Sequence, residues 1–142
     1  DINPSAQSAC RELAEKNGVS DRVEIGGEFT PDHFAAYECE ATLVFCDIEG
    51  MEEELLNPNV TPALRRLDII VESHECLRPG ITERLVSRFE SSHVIEVVED
   101  DGWRHLEDLP DWFTQLSHLD QLLATWEWRS GPTPWLVMHA RH

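Results

Sequence analysis

A single α/β domain on a doubly wound, mostly parallel sheet is what three features of the sequence predict. Two apolar runs, Ala41-Thr-Leu-Val-Phe-Cys-Asp-Ile-Glu-Gly50 and Leu67-Asp-Ile-Ile-Val-Glu-Ser-His-Glu75, each stop abruptly in acids. Runs without polar alternation mark strands buried on both faces, as in parallel sheets. Helical and strand-like segments alternate along most of the chain, a rhythm that implies right-handed crossovers. In such sheets the ligand crevice lies outside the carboxyl ends of the strands, which is where Asp47, Glu49, Glu72, His74 and Glu75 fall.

Taken in order, Asn3 is a good N-cap, Pro4 suits the first helical position, and Ala6, Cys10, Leu13 and Asn17 recur at helical spacing before Gly18. A helix over 4–17 follows. Residues 23–25 read as a short strand closed by Gly26-Gly27, 31–37 as a brief helix capped by Thr30, and 42–46 as a fully buried strand. Residues 51–56 form an acidic helix, Pro58 and Pro62 punctuate a loop, 63–67 make a helical turn, and 68–71 the next buried strand. Pro79-Gly80 opens a helix whose Ile81, Leu85 and Phe89 share a face, and 93–98 alternates as a strand. An insertion over 103–134 then carries Trp112, Leu116, Leu119, Leu123 and Trp126 at three- and four-residue spacing. That spacing predicts one amphipathic helix between the last two strands, with Leu116, Leu119 and Leu123 buried and Gln115, His118 and Gln121 exposed. Packing is the ordinary role of its tryptophans; a lid over the crevice is the sharper one. The chain turns at 129–134 into a last strand, 135–140.

The 142 residues suffice for one domain with a real core, and 41% hydrophobic content is that of a globular chain. Eleven basic against 28 acidic residues give a formal charge of −17, which repels phosphate backbones and anionic membranes. Nucleic acid and membrane partners are therefore not expected. The four cysteines, Cys10, Cys39, Cys46 and Cys76, show no Cys-x-x-Cys spacing and read as reduced, cytoplasmic thiols. Asp1-Ile-Asn-Pro reads as the end of a strand feeding a helix, so further chain is expected upstream.

Asp1-Ile-Asn-Pro with its alanine-rich helix, and then Glu12-Leu-Ala-Glu-Lys-Asn-Gly-Val-Ser-Asp-Arg-Val-Glu24, resemble the later two-thirds of a class I S-adenosylmethionine-dependent methyltransferase. Within that superfamily, Cys46-Asp-Ile-Glu-Gly-Met-Glu52 together with Ile69-Ile-Val-Glu-Ser-His74 is similar to the FkbM-like methyltransferases. The resemblance runs from the end of the family's second strand to its seventh. It implies a partial Rossmann-like sheet with an antiparallel last strand, and places the glycine-rich cofactor loop upstream of Asp1. By the same resemblance S-adenosylmethionine is the cofactor: Asp1 would accept from its ribose hydroxyls, Glu28 and Phe29 would line the adenine, and Asp47 would face the methionine end and the incoming nucleophile. The family strand order, 3-2-1-4-5-7-6, leaves residues 23–25 without a neighbour and the strand ending at Asp47 with an open edge. Upstream chain would cover that edge, or a homodimer would.

Asp47, Glu49, Glu72 and His74 are the candidate catalytic residues. An acid here would take the proton from a substrate hydroxyl or amine as the methyl group moves, and a histidine flanked by carboxylates would serve as a base. Glu49 could instead cap the helix near Met51. The small-molecule or sugar-like acceptor is read only as an oxygen nucleophile. Two other classes use the same residues. Asp47, Glu72 and His74, with Glu49 or Glu75, could hold Mg²⁺ or Mn²⁺ in a metal-assisted hydrolase or a metal-dependent methyltransferase. A non-catalytic interaction module would present the acidic Glu52-Glu-Glu54 face and the tryptophan tail.

Overall fold

The computed structural model describes residues 1–37, 41–99, 108–126 and 129–141. It is an α/β structure around an open, mixed sheet of four strands, β1 (Leu43–Cys46), β2 (Asp68–Glu72), β3 (His93–Val98) and β4 (Trp135–Ala140), in the order β1-β2-β4-β3. β1 and β2 are parallel, in a register that sets Leu43 beside Asp68 and Cys46 beside Val71. β4 runs antiparallel to both β2 and β3. The antiparallel last strand is as expected, but the sheet is not mostly parallel: with β4 inserted between β2 and β3, only one of the neighbouring pairs is parallel.

One face of the sheet carries the core. Cys46, Ile69, Val71, Leu136 and Met138 meet Leu56, Leu64 and Leu67 from the β1–β2 connection, and Ile81, Leu85 and Phe89 from the helix after β2. That helix, α3 (Ile81–Phe89), has the single apolar stripe the spacing predicts, all three side chains being fully buried. Its start is fixed by Glu75, whose two carboxylate oxygens accept the Gly80 and Thr82 N–H groups at 2.7 and 2.8 Å. These bonds hold the Glu75 carboxyl below its ordinary pKa although burial works to raise it. Gly80, at φ 79°, makes a turn for which an L side chain is poorly suited.

The opposite face is largely bare among the described residues. Leu43, Phe45, Val94 and Val98 are all exposed there, and Phe45 touches the ring of Trp135 at 5.3 Å. The doubly wound arrangement, with helices on both faces, is therefore not what the described residues form. The strand at 42–46 is likewise not fully buried, since Phe45 is 66% exposed; its lack of alternation reflects an apolar face without a cover.

The helix α1 (Pro4–Lys16) begins as expected, Asn3 accepting the Ser5 N–H at 2.8 Å. Residues 23–25 form no strand. Paired strands need a neighbour, and β2 is the only strand paired with β1 among the described residues. Residues 31–37 and 62–66 are 3-10 turns joined by a hydrogen bond from Thr61 Oγ1 to the Pro31 carbonyl at 3.1 Å. The single long helix predicted in the tail is two short ones, α4 (Asp111–Thr114) and α5 (His118–Ala124). Ser117 breaks it: its side chain accepts the Asp120 N–H and starts a new helix. Leu119 and Leu123 are consequently exposed, Leu116 and Gln121 are half-buried, and Phe113 is the buried anchor. Residues 100–107 and 127–128, with Cys39, lie outside the described residues; Cys10, Cys46 and Cys76 are free thiols. No described helix is long and apolar enough to cross a membrane.

His93 opens β3 almost completely buried, its Nε2 donating to the Leu67 carbonyl at 2.8 Å. Burial lowers its pKa below the ordinary 6.5. The unfolded chain therefore takes up the proton first, so this residue's contribution is complete above about pH 6.5 and shrinks as the pH falls toward the lowered value. Urea midpoints measured from pH 7.5 to 5 are expected to fall more steeply for the native protein than for His93→Gln. Parallel curves would sink the assignment.

Candidate active site at the carboxyl ends of β1 and β2

The two acidic stops predicted from the sequence meet. β1 ends at Cys46 and releases Asp47; the next turn has Glu49 at φ 56° and Gly50 at φ 97°. A left-handed glutamate is uncommon, and such outliers gather at functional sites. Here the turn brings the Glu49 carboxylate to 3.2 Å from Nε2 of His74. The same nitrogen lies 3.7 Å from both Asp47 Oδ1 and Glu72 Oε2. His74 and Glu72 are each 2% exposed, whereas the Asp47 side chain is 40% exposed and opens the cluster to solvent.

On the far side of the ring, His74 Nδ1 is 2.7 Å from Oε1 of Glu52, which also accepts the Gly50 N–H at 2.9 Å. A carboxylate accepts only, so Nδ1 donates. Glu52 is fully buried and opens α2 (Glu52–Leu55), a helix whose run of acids would ordinarily form a solvated face. That reading holds for Glu54, which is exposed. It fails for Glu52, whose place is under the histidine, and for Glu53, which pairs with Arg84 and Arg88 at 2.9 and 2.8 Å. The Arg84 hydrogen bond, with the charge of both arginines, holds the Glu53 carboxyl low.

Glu72 is held from the tail. Arg129 Nη1 donates to Glu72 Oε1 and reaches Thr133 Oγ1 at 2.5 Å. Burial works to raise the Glu72 pKa, but the Arg129 and Thr133 contacts outweigh it and hold the carboxyl low. Asp47 moves the other way, pushed up by burial and by the neighbouring Glu72 charge. Burial, with Glu52 and Asp47 nearby, pushes the Cys46 thiol up to about 12, which removes it as a nucleophile at neutral pH.

Among the described residues, three buried side-chain atoms make no hydrogen bond: Glu52 Oε2, Glu72 Oε2 and His74 Nε2. Such orphans are rare in folded proteins, and the last two face one another across the cluster. Asp47, Glu72 and His74 can each bring one ligand atom within 4.8 Å of the others.

Of the residues singled out in the sequence, Asp47, Glu49, Glu72 and His74 come together. Glu75 does not join them, being committed to the start of α3. Glu49 does not cap α2, which has no side-chain cap. Asp1 accepts the Asn3 N–H at 2.8 Å, and its amino group lies 3.3 Å from the Gly26 carbonyl, near the Glu28-Phe29 segment. Phe29 packs on Phe34 and His33 and, with Tyr37, borders a cleft of about 320 Å³ floored by β1. The cleft reaches Ile48, the neighbour of Asp47. Sequence reasoning missed Glu52, Arg129 and Thr133. Glu52 was within reach, as the last acid of the Asp-x-Glu-Gly-x-Glu run; nothing local marks Arg129. Comparison of the chain with protein-family models, curated proteins and solved structures gives no match.

Proposed function

We propose that the chain belongs to an S-adenosylmethionine-dependent methyltransferase that transfers the methyl group to an oxygen of a small-molecule or sugar-like acceptor. The observation that supports this reading best is the order β1-β2-β4-β3 with β4 antiparallel to both neighbours. The class I methyltransferase sheet runs 4-5-7-6 through the same half, and its fourth-strand acid lies at the carboxyl end of that strand, as Asp47 does just beyond β1 here. Fold alone does not fix function. The acid and histidine cluster at those two ends adds the chemistry.

S-adenosylmethionine supplies the electrophilic methyl group when bound. Phe29 suits the adenine end, since it presents a partly exposed ring to a cleft that continues to Ile48 beside Asp47. Asp1, Glu28 and Asp47 are the carboxylates that would take the polar groups. The protein's own residues receive the acceptor at the solvent side of Asp47, and the buried His74, fixed by Glu52, forms the wall behind it.

Titration of the intact protein with S-adenosylmethionine tests this. Saturable binding and transfer of labelled methyl to a hydroxyl acceptor are expected. Divalent metal binding without S-adenosylmethionine binding would replace the reading with metal-assisted hydrolysis, and binding of neither with an interaction module.

A further inference from the structure

We propose that Asp47, Glu72 and His74 hold one divalent transition-metal cation at the carboxyl ends of β1 and β2. The argument starts from the two buried orphans. Among the described residues His74 Nε2 and Glu72 Oε2 have no hydrogen-bond partner, and leaving such a buried atom unsatisfied is unfavourable. Both are acceptors. The Glu52 carboxylate holds the proton of the neutral ring on Nδ1, which leaves Nε2, facing three carboxylate oxygens at 3.2 to 3.7 Å, as the nitrogen that would bind a cation.

A substrate hydroxyl brings a single proton and could satisfy only one of these acceptors. A cation satisfies Nε2, Glu72 Oε2 and an Asp47 oxygen together. Ligands about 2.1 Å from one ion and 90–120° apart lie roughly 3.0–3.6 Å from each other, and the 3.7 Å spacings from Nε2 to Asp47 and Glu72 fall within about 0.1 Å of the upper end of that range. Charge points the same way. Among the described residues, Asp47, Glu49, Glu52 and Glu72 face one guanidinium, that of Arg129, which occupies the other oxygen of Glu72 and leaves Oε2 turned to the cluster. Like charges gathered in a largely dry place are unfavourable without a counter-charge.

The donor set selects the ion. One imidazole and two carboxylates suit Mn²⁺, Fe²⁺ or Zn²⁺, whereas Ca²⁺ takes oxygen ligands. Glu52 stands where an orienting carboxylate belongs, on the nitrogen of the ligating ring that points away from the metal. The exposed side of Asp47 leaves positions open to an oxygen of the substrate. On the methyltransferase reading, which this inference extends, that oxygen belongs to the methyl acceptor.

Mn²⁺ titration of the intact protein, followed by the paramagnetic resonance of the free ion with no cofactor or acceptor present, is the test. One Mn²⁺ per chain is expected, displaced by Zn²⁺ and not by Ca²⁺. Asp47→Asn should abolish the site. Glu52→Gln, which can still accept from His74, should weaken it about 10–100-fold, with circular dichroism confirming that both variants fold. Several weak sites indifferent to Asp47→Asn are the behaviour of an acidic surface and would overturn the proposal, as would no binding. Mn²⁺ binding in a protein that transfers no methyl group upholds the cation site and removes only the function proposed above. Methyl transfer with no bound Mn²⁺ does the reverse.

Discussion

Asp47→Asn in the intact protein is expected to lower methyl transfer by about 10²–10⁴-fold while leaving the fold unchanged. The substitution keeps the shape of the side chain and removes its charge. Asp47 lies just beyond β1 and is partly exposed, so no core contact depends on it. An amide is a poor proton acceptor and a weak ligand, and the loss should therefore appear in turnover under saturating cofactor. Glu28→Gln, at the proposed adenine end, is expected to act on cofactor affinity instead. Rates and affinities measured for the two variants side by side decide the matter: equal, small effects from both would mean that the crevice has been assigned to the wrong edge of the sheet.

Much of this arrangement was legible because it depends on local pattern. Ile81, Leu85 and Phe89 recur at helical spacing and are buried together; the apolar 68–71 run is β2 in all but its last residue; Asn3 and Pro4 start α1. The acids at the strand ends could be read because a buried strand leaves its first polar residues at the crevice. What failed depends on partners. Residues 23–25 have the composition of a strand but, among the described residues, no neighbouring strand to pair with. Residues 111–126 have a helical stripe, yet Ser117 offers the backbone an alternative start, and Leu119 and Leu123 are left exposed. Glu52 shows the limit from the other side. Within Glu52-Glu-Glu54 the three acids are chemically alike, and only the tertiary position of His74, 22 residues away, separates the buried one from its solvated neighbour.

The two faces of the sheet are expected to respond very differently to the same substitution. Phe89 is fully buried in the core, its ring edge-on to His93 at 5.1 Å, and Phe89→Ala should cost about 3–5 kcal/mol through lost transfer energy and the cavity left behind. Phe45 lies on the bare face with 66% of its surface exposed, and its ring contact with Trp135 is the main thing to lose. Phe45→Ala should therefore cost about 1 kcal/mol or less. Urea unfolding of both variants against the native protein reads the difference directly, provided the slopes agree. A loss near 1 kcal/mol at Phe89 would mean that α3 is not packed on the sheet as described, and the position of Glu75 and of the β2 terminus would go with it. A loss of several kcal/mol at Phe45 would mean that the exposed face and β1 edge are covered in solution, by upstream chain or by a second copy, since only burial can make an aromatic side chain matter that much.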